Sequence, residues 1–248
     1  STCQAVVSVI DNIAPSAMCQ GVSVLLDDEG LGSVQAIDVD DNSTDNCTIQ
    51  SLELNQTNFD CSHVDLNNIV TLTVTDNSNQ SSTCEAIITV IDQVAPEAIC
   101  QDVTVQLDED GIGTTSADLV GNGSNDACGI ATVVLSQTDF DCDHVGPVDV
   151  VLTVTDNNNN VSTCAVVVTV VDNIAPEALC QDVTVTLDAA GVGSTTAAAV
   201  DDGSNDACGI ASLSLSQTVF DCTHIGATDV TLTATDNNTN SATCAAVV

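Results

Sequence analysis

Short runs of alternating apolar and polar residues dominate the chain. In the segments VTVQL, IATVVLSQT, DVVLTVTD and CEAIITVID, residues of the Val, Ile and Thr type alternate or follow one another, which is typical of β-strands. Turn signals separate these runs, among them DEDG at 108–111, GNGSNDACG at 121–129 and DNNNN at 156–160. No segment keeps a helical period between caps. The pattern therefore predicts an all-β protein without helices.

The whole pattern recurs along the chain. Cys3, Cys84, Cys164 and Cys244 stand 81, 80 and 80 residues apart, and they open the segments STCQAVVSVIDNIAP, STCEAIITVIDQVAP, STCAVVVTVVDNIAP and ATCAAVV. Five to seven strands fit into each period, which is the size of a small β-sandwich. The sequence thus predicts tandem immunoglobulin-like β-sandwich modules in a linear array.

The register of the repeat sets the predicted module boundaries. The strand C-x-A-[IV]-[IV]-T-V-[IV]-D and the Ala-Pro that follows are interpreted as the end of one module and a short linker. The predicted modules are residues 12–92, 93–172 and 173–248. Residues 1–11 remain as a last strand without a module of its own, either a donor strand or the end of an upstream module.

The charge of the chain excludes several classes of function. It has 36 Asp and Glu, no Lys or Arg, and a formal net charge of −36. Such a chain cannot neutralise phosphates or dock on anionic lipid through a basic patch, so nucleic-acid binding is excluded. Most enzymes also need Lys or Arg to hold an anionic substrate, and a non-enzyme is predicted. Because the hydrophobic fraction is 44%, a folded protein is favoured, with external cations offsetting its self-repulsion.

The cysteine content predicts an oxidising compartment. There are 13 Cys and no C-x-x-C pair of the kind that zinc sites favour. Disulfides in a secreted, extracellular or cell-surface protein are the better interpretation. No run of about 18 apolar residues is present, so no membrane insertion is predicted. Because the chain starts at Ser1 without a signal peptide, we interpret it as a processed or excerpted piece of a secreted precursor.

Three features of the repeat resemble the hyalin repeat (HYR) family of immunoglobulin-like extracellular modules. They are the early Cys after the Pro (Cys19, Cys100 and Cys180), the T-[VA]-T-D-N-x-x-N turn of the later copies, and the C-x-x-x-V-x-V-x-D ending. The resemblance covers essentially the whole chain, although the aromatic positions of the family are largely aliphatic here and the second pair of cysteines is not a general family feature. It implies adhesion or scaffolding and no catalysis.

The resemblance, together with the strand spacing, also implies which cysteines pair. It places the early Cys beside the last strand of its own module, which gives Cys19–Cys84, Cys100–Cys164 and Cys180–Cys244. The other two cysteines of each module are predicted to close loops as Cys47–Cys61, Cys128–Cys142 and Cys208–Cys222. Cys3 is left over, and its partner is expected outside this chain, either upstream in a longer precursor or in another subunit.

Acidic and amide side chains recur in register where the modules meet. In an immunoglobulin-like sandwich, the loop after the second strand, the loop before the last strand and the incoming linker share one pole. The predicted ligands are Asp11, Asn12, Asp45, Asp76 and Asn77; Asp92, Asn125, Asp126, Asp156 and Asn157; and Asp172, Asn173, Asp206, Asp236 and Asn237. Asp and Asn also suit turns, but three in-register clusters on a chain without cations favour bound calcium ions. Magnesium fits a loose loop cluster less well.

The remaining motifs have simpler interpretations. His63, His144 and His224 of F-D-C-x-H are predicted to pack or hydrogen-bond, because no nucleophile recurs beside them. The acidic turns 27–30 and 108–111 are interpreted as turns only, since the third copy reads Asp-Ala-Ala-Gly. Sequons make glycans a second class of partner. They occur at Asn42, Asn46, Asn55, Asn79, Asn122, Asn160 and Asn237.

The leading functional hypothesis is a structural subunit of an extracellular filament or fibre. Its repeats would be rigidified by calcium and disulfides, with copies joined head to tail through the spare strand at 1–11, as in donor-strand complementation. The alternative is the stalk region of a large cell-surface adhesin, which a precursor with many more repeats would favour. A flat array of Thr on one exposed face would instead indicate an ice- or sugar-binding surface.

Overall fold

The computed structural model describes residues 2–248, so the first residue of the predicted spare strand lies outside the described chain. The first repeat contains β1 (Val22–Leu25), β2 (Leu31–Ser33), α1 (Ala36–Val39), β3 (Ile49–Leu54), β4 (Asn58–Asp60), β5 (Asn68–Asp76) and β6 (Ser81–Ile91). The second contains β7 (Val103–Gln106), β8 (Ile112–Thr114), α2 (Ala117–Val120), β9 (Ile130–Leu135), β10 (Asp139–Asp141), β11 (Gly146–Asp156) and β12 (Val161–Val171). The third contains β13 (Val192–Ser194), α3 (Ala197–Val200), β14 (Ile210–Leu215), β15 (Val219–Asp221), β16 (Asp229–Asp236) and β17 (Ser241–Val247).

Each repeat consists of a larger and a smaller sheet. The larger sheets have the strand orders β1-β6-β5-β3, β7-β12-β11-β9 and β14-β16-β17. The smaller sheets are the antiparallel pairs β2–β4, β8–β10 and β13–β15. The first strand runs parallel to the last in the first two repeats, whereas β5 and β6 pair antiparallel. The prediction of tandem immunoglobulin-like β-sandwich modules is confirmed.

The prediction of no helix was wrong in three short places. A single helical turn, α1, α2 or α3, follows the small sheet's first strand in each repeat. Each turn ends on a valine that is fully buried, namely Val39, Val120 and Val200. One turn that buries one side chain leaves no helical period in the sequence, so the pattern of apolar residues could not reveal it.

The core follows the period-2 alternation of the long strands. In β5, Val70, Leu72 and Val74 are fully buried, while the residues between them are partly exposed. Phe59 of β4 closes the first core from the smaller sheet at 1% exposure. Equivalent side chains fill the other repeats, so Val and Leu supply most of the buried core.

The first strand of the third repeat does not form. In the first repeat, Val22–Leu25 pair in parallel with Ile88–Ile91. In the third, only Val248 occupies the corresponding place, and residues 183–186 have no strand assignment in the described chain. Val185 is accordingly half-buried, whereas its counterparts Val24 and Val105 are 5% exposed. One sheet edge of this repeat is therefore only partly covered.

Contacts between Cα atoms divide the chain into two compact units. The first unit holds the chain up to Ala98 together with Ser124–Thr132 and Val154–Ser162. The second holds Ile99–Gly123, Val133–Thr153 and Thr163–Val248. The first unit therefore includes two loops of the second repeat, and the predicted boundaries of three modules at 12–92, 93–172 and 173–248 stay a prediction.

Five disulfides link ten of the described cysteines. Three join the early Cys of a repeat to its last long strand, as the HYR resemblance implied: Cys19–Cys84, Cys100–Cys164 and Cys180–Cys244. The other two join successive repeats as Cys61–Cys128 and Cys142–Cys208. Among the described residues, Cys3, Cys47 and Cys222 are free and exposed.

The predicted loop-closing pairs Cys47–Cys61, Cys128–Cys142 and Cys208–Cys222 were wrong. In the first repeat, Cys47 precedes β3 at the end of the sandwich where β6 begins, whereas Cys61 lies against Gly30, beyond the opposite end of β6. An 11-residue strand such as β6 spans about 36 Å at ~3.3 Å per residue. A disulfide joins Cα atoms roughly 6 Å apart, so the two positions cannot bridge within one repeat.

Candidate metal centres at the repeat junctions

Two acidic clusters lie where one repeat leads into the next, and a third lies at the equivalent place where the chain enters the first repeat. In each cluster, one ligand atom from each of two aspartates and a cysteine lies within 4.8 Å of the others. The clusters are Asp11, Asp45 and Cys47; Asp92, Asp126 and Cys128; and Asp172, Asp206 and Cys208. Because Cys128 and Cys208 are in disulfides, the carboxylate oxygens are the available ligands. The structure thus brings together the linker aspartate and the loop aspartate of each predicted pole.

Local hydrogen bonds fix the orientation of these carboxylates. Asp92 follows directly after β6, and its Oδ1 accepts from the backbone N–H of Val94 at 3.0 Å. Asp126 Oδ1 accepts from the N–H of Cys128 at 2.8 Å. Both are turns in which a short acidic side chain binds the backbone two residues on. One oxygen of each side chain is thereby held by the loop.

Several carboxylate oxygens of the predicted ligands have no hydrogen-bond partner in the described chain. They are buried atoms: Asp11 Oδ2, Asp45 Oδ1, Asp76 Oδ2, Asp92 Oδ2 and Asp172 Oδ2. Asp92 and Asp172 are only 6% and 7% exposed as whole residues. A buried carboxylate without a partner is costly, and no Lys or Arg exists to pair with it. In the second and third clusters, where the cysteine is in a disulfide, the oxygen donors and their net negative charge fit a calcium ion.

The electrostatics of the second cluster point the same way. Burial raises the pKa of Asp92, and the nearby negative charges of Asp126 and Asp156 raise it further. At the first cluster, the backbone N–H of Ile13 lowers the pKa of Asp11, helped by the Cys47 thiol. Asp92 has no such thiol donor, because its Cys128 is in a disulfide. The second cluster therefore concentrates unfavourable negative charge that a cation would relieve.

The turn before the last strand contributes a third, buried carboxylate. Asp156 is 1% exposed, and its Oδ1 accepts from the N–H groups of Asn158 and Asn160, both within 2.9 Å. The Asn160 amide donates to Asp156 Oδ2 at 2.8 Å and to the carbonyl of Asp92 at 3.3 Å. Asn160 therefore ties this turn to the linker aspartate and holds Asp156 beside the cluster.

The turn asparagines hold the loops through their amide nitrogens. Asn157 donates to the carbonyl oxygen of Cys128 at 2.9 Å, and Asn237 donates to that of Cys208 at 2.7 Å. Asn77 donates to a threonine hydroxyl at the equivalent place. These residues sit at the predicted poles, but the contacts we observe join loop to loop.

The other three predicted asparagines lie to the side of the carboxylates. Asn125 donates to Glu97 Oε2 at 3.1 Å. Asn173 donates to Gln106 Oε1 at 2.7 Å, and Asn12 is exposed. The carboxylates thus form the centre of each cluster, and the asparagines shape its surroundings. As ligands, all six asparagines remain a prediction.

An acidic groove beside the second and third clusters was missed in the sequence. At the second cluster a cavity of about 320 Å³ is lined by Asp28, Glu97 and Asp126. The equivalent cavity at the third cluster is about 310 Å³ and is lined by Glu109, Glu177 and Asp206. Asp28 and Glu109 belong to the turns interpreted as turns only, and they are turns. Asp28 and Glu109 nevertheless line the cavities at the clusters that follow. An acidic residue at the second position of the turn in both copies is the sequence feature that could have revealed this contact.

The three histidines pack and hydrogen-bond, as the sequence predicts. His63 Nδ1 lies 2.8 Å from Asp60 Oδ1, and its ring meets the edge of Phe59 at a centroid distance of 5.4 Å. The same contacts recur for His144 and His224. Each histidine therefore fixes a short 3-10 turn, which begins with the cysteine at position 61, 142 or 222.

A titration would test these turns. Two bonds from Thr223, first from its hydroxyl and then from its backbone N–H, and one from His224 lower the pKa of Asp221. We expect Thr223→Val to raise the pKa of Asp221, measured by NMR titration of the carboxyl carbon. Since the folded pKa lies below the unfolded one, this group stabilises the fold above the unfolded pKa of about 3.9, and that stability is lost as the pH falls. The variant should lose part of that acid sensitivity; an unchanged pKa would contradict the assignment.

The sequons of the turn occupy different structural positions. Asn79 is exposed with a positive φ of 62°. Asn160 is half-buried, and its Nδ2, the atom that a glycan would modify, is hydrogen-bonded to the Asp156 carboxylate. The use of the sequons remains a prediction, with Asn79 the more accessible of the two.

Comparison with known proteins gives distant structural neighbours. The chain is similar to mouse cadherin-23 EC22–24 at 13% identity, covering 95% of this chain and 98% of that chain with a TM-score of 0.38. Titin domains I67–I69 match at 11% identity over 95% and 98% of the two chains, with a TM-score of 0.35. Protocadherin gamma B7 cadherin domains 1–4 match at 15% identity over 95% and 76%, with a TM-score of 0.32.

No protein-family model matches the chain, and no curated protein sequence matches it either. The HYR resemblance therefore stays a prediction. In residues 2–248, no helix is long and apolar enough to cross a membrane. The five disulfides are those of a protein that folds in an oxidising, extracellular setting.

Proposed function

We propose that this protein is a structural subunit of an extracellular filament, in which calcium-rigidified, disulfide-stapled repeats join head to tail. The observation that carries the proposal is the repeated junction. At both inter-repeat disulfides, an acidic cluster lies at the same place, and each cluster holds one buried carboxylate oxygen without a hydrogen-bond partner in the described chain, Asp92 Oδ2 or Asp172 Oδ2. A disulfide and a cation bound at one junction would restrain the linker between two repeats, which is a mechanical role.

Calcium would be held mainly by aspartates. In the second cluster these are Asp92 and Asp126, with Asp156 beside them; in the third they are Asp172 and Asp206. The ion would offset the burial and the neighbouring negative charges that together raise the pKa of Asp92, and it would supply a partner to the unpaired Oδ2 atoms of Asp92 and Asp172. Backbone carbonyls and water would complete six to eight oxygens.

An open groove on the third repeat supports the head-to-tail arrangement. It has a volume of about 440 Å³ and is lined by Val183, Val185, Phe220 and Ile225 among others. Ile225 is 78% exposed, whereas its counterpart Val64 bridges to Val90 of β6. The groove is thus the place that the end of the last long strand fills in the first repeat.

The N-terminal segment has the sequence that fits this groove. Residues 2–10 are exposed and form no strand in the described chain; Val6 and Val9 are 95% and 94% exposed. The segment Ser8–Asp11 (SVID) repeats the TVID of residues 89–92. Val90, which corresponds to Val9, is 2% exposed. Residues 8–11 of a second copy would therefore continue the sheet beyond Val248 and bury Val9 against Ile225, as a donor strand does.

Two substitutions of equal charge would test the arrangement. Val9→Asp places a carboxylate where the donor-strand contact would bury a valine, and Ser8→Asp places one at the position of Thr89, which is exposed. We expect the wild-type chain and Ser8→Asp to assemble in calcium with rising concentration, and Val9→Asp to remain monomeric in sedimentation velocity. Equal behaviour of the two variants would contradict the donor-strand contact, and a wild-type chain monomeric at every concentration would favour the adhesin stalk.

A further inference from the structure

The disulfide pattern leaves two cysteines unmatched in complementary places. In both inter-repeat bonds, the cysteine that opens a 3-10 turn pairs with the pole cysteine of the following repeat, at separations of 67 and 66 residues. Cys222 opens the turn of the third repeat and is free and exposed. Cys47 is the pole cysteine of the first repeat and is also free and exposed. One copy thus offers the donor half of the bond, and a second copy offers the other half.

The surroundings of Cys222 match those of its bonded counterparts. Its Sγ lies 3.9 Å from the carbonyl oxygen of Gly191, and Cys61 and Cys142 lie 3.8 Å from the equivalent glycine carbonyls. A Cβ on Gly111 would contact Ala207 of the following pole as well as the Cys142 sulfur. At Gly191 the only near atom is the Cys222 sulfur. The place that a following pole takes is therefore open beside Cys222.

The surroundings of Cys47 match on the other side. Its N–H donates to Asp45 Oδ2 at 2.7 Å, as the N–H of Cys128 does to Asp126 and that of Cys208 does to Asp206, both at 2.8 Å. The loop that presents the pole cysteine is therefore already formed around Cys47. Its sulfur lies in the cluster with Asp11 and Asp45.

We propose that Cys222 of one copy forms a disulfide with Cys47 of the next copy. The inference rests on the proposed filament and names its covalent link. If Ser8–Asp11 of the second copy continue the sheet beyond Val248, its Asp11 takes the place that Asp92 has after β6. The pole loop that carries Cys47 then stands where the loop of Cys128 stands against Cys61. The groove and the two free thiols thus require the same register, although they are separate features of the molecule.

The bond forms by thiol–disulfide exchange. A low-molecular-weight disulfide accepts the two electrons and releases two small thiols, while the two cysteine protons pass to those thiols. The Cys222 sulfur attacks the small disulfide, which releases one small thiol and leaves Cys222 in a mixed disulfide. The Cys47 sulfur then attacks the Cys222 sulfur of this mixed disulfide and displaces the second small thiol. The intermolecular S–S bond is the only new bond left on the protein.

The test is non-reducing SDS electrophoresis of the full chain in calcium with oxidised glutathione. We expect a ladder of covalent multimers from the wild type and from the control Cys3→Ser. Cys47→Ser and Cys222→Ser should each lose the ladder, and an equimolar mixture of these two variants should give a dimer band and nothing larger. Since all three sites are exposed and free, far-UV circular dichroism should be unchanged.

Results that differ from the expected ladder pattern distinguish the disulfide from the filament. A ladder that survives Cys47→Ser, or one that Cys3→Ser abolishes, overturns the assignment. The linked peptide should be identified by mass spectrometry after cleavage at Asp or Glu, because the chain has no Lys or Arg for trypsin. Filaments in electron microscopy without a ladder would refute this disulfide and leave the filament standing. The absence of both filaments and a ladder would refute both the disulfide and the filament.

Discussion

Calcium is expected to raise the melting temperature of the chain by roughly 10–20 °C. A ligand at 100 times its Kd stabilises the folded state by about 2.7 kcal/mol per site. For a domain the size of one repeat, ~1 kcal/mol corresponds to roughly 4–8 °C in the melting temperature. The physical reason is the set of buried carboxylate oxygens that no protein group satisfies in the described chain. Far-UV circular dichroism is the suitable probe, because the sequence has no Trp or Tyr. A chelator should reverse the shift.

The effect of Asp92→Asn on the melting temperature should differ with and without calcium in a way that a general salt effect would not produce. Burial and the charges of Asp126 and Asp156 raise the pKa of Asp92 in the calcium-free protein. Asp92→Asn removes this unfavourable charge, so it should leave the calcium-free melting temperature unchanged or higher. In calcium the same variant should melt lower than the wild type, because it loses a ligand.

A matched control is Glu85→Gln, which removes one charge from an exposed position on β6. It should follow the wild type with and without calcium. If Asp92→Asn and Glu85→Gln respond to calcium alike, Asp92 is not a ligand. If Asp92→Asn destabilises the calcium-free protein strongly, the carboxylate has a structural partner instead.

The second large effect is expected from the inter-repeat disulfide. Removing Cys142–Cys208 with Cys142→Ala and Cys208→Ala opens a loop that spans 66 residues and should cost about 4 kcal/mol in the free energy of unfolding. It should also weaken calcium binding at Asp172 and Asp206 by about tenfold, as loss of a supporting contact around a metal site does. The reason is that Cys208 follows Asp206 in the same loop.

Removal of Cys100–Cys164 provides the comparison. Its loop spans 64 residues, so the cost from chain entropy should be similar, but the bond joins two segments of one repeat, and neither cysteine lies in a loop that carries Asp172 or Asp206. Urea unfolding and isothermal calcium titration on both variants separate the two effects. Equal calcium affinities in the two variants would show that the inter-repeat bond does not support the site.

The strands were predictable from sequence because they carry a period-2 pattern over long runs. Val70, Leu72 and Val74 of β5 are buried as that alternation requires. The single turns that end on Val39, Val120 and Val200 were not predictable, since one turn is shorter than a helical period needs. The local pattern also could not reveal that residues 183–186 lack a strand, which depends on what lies alongside them.

The candidate site was partly predictable for a related reason. The repeat register brought the linker aspartate and the loop aspartate together, as with Asp92 and Asp126. It did not give the disulfides Cys61–Cys128 and Cys142–Cys208, because spacing alone does not say at which end of a sandwich a cysteine lies. Asp28 was missed for the same reason, since its turn meets the following pole only in three dimensions.

The most direct test of the central claim is electron microscopy of the native, non-reduced chain in calcium and again after a chelator. We expect long filaments in calcium, built from copies joined head to tail, which soften or fragment when calcium is removed. Filaments that ignore the chelator would remove the calcium sites. Particles that stay the size of a single copy at high concentration, with and without calcium, would contradict the filament itself.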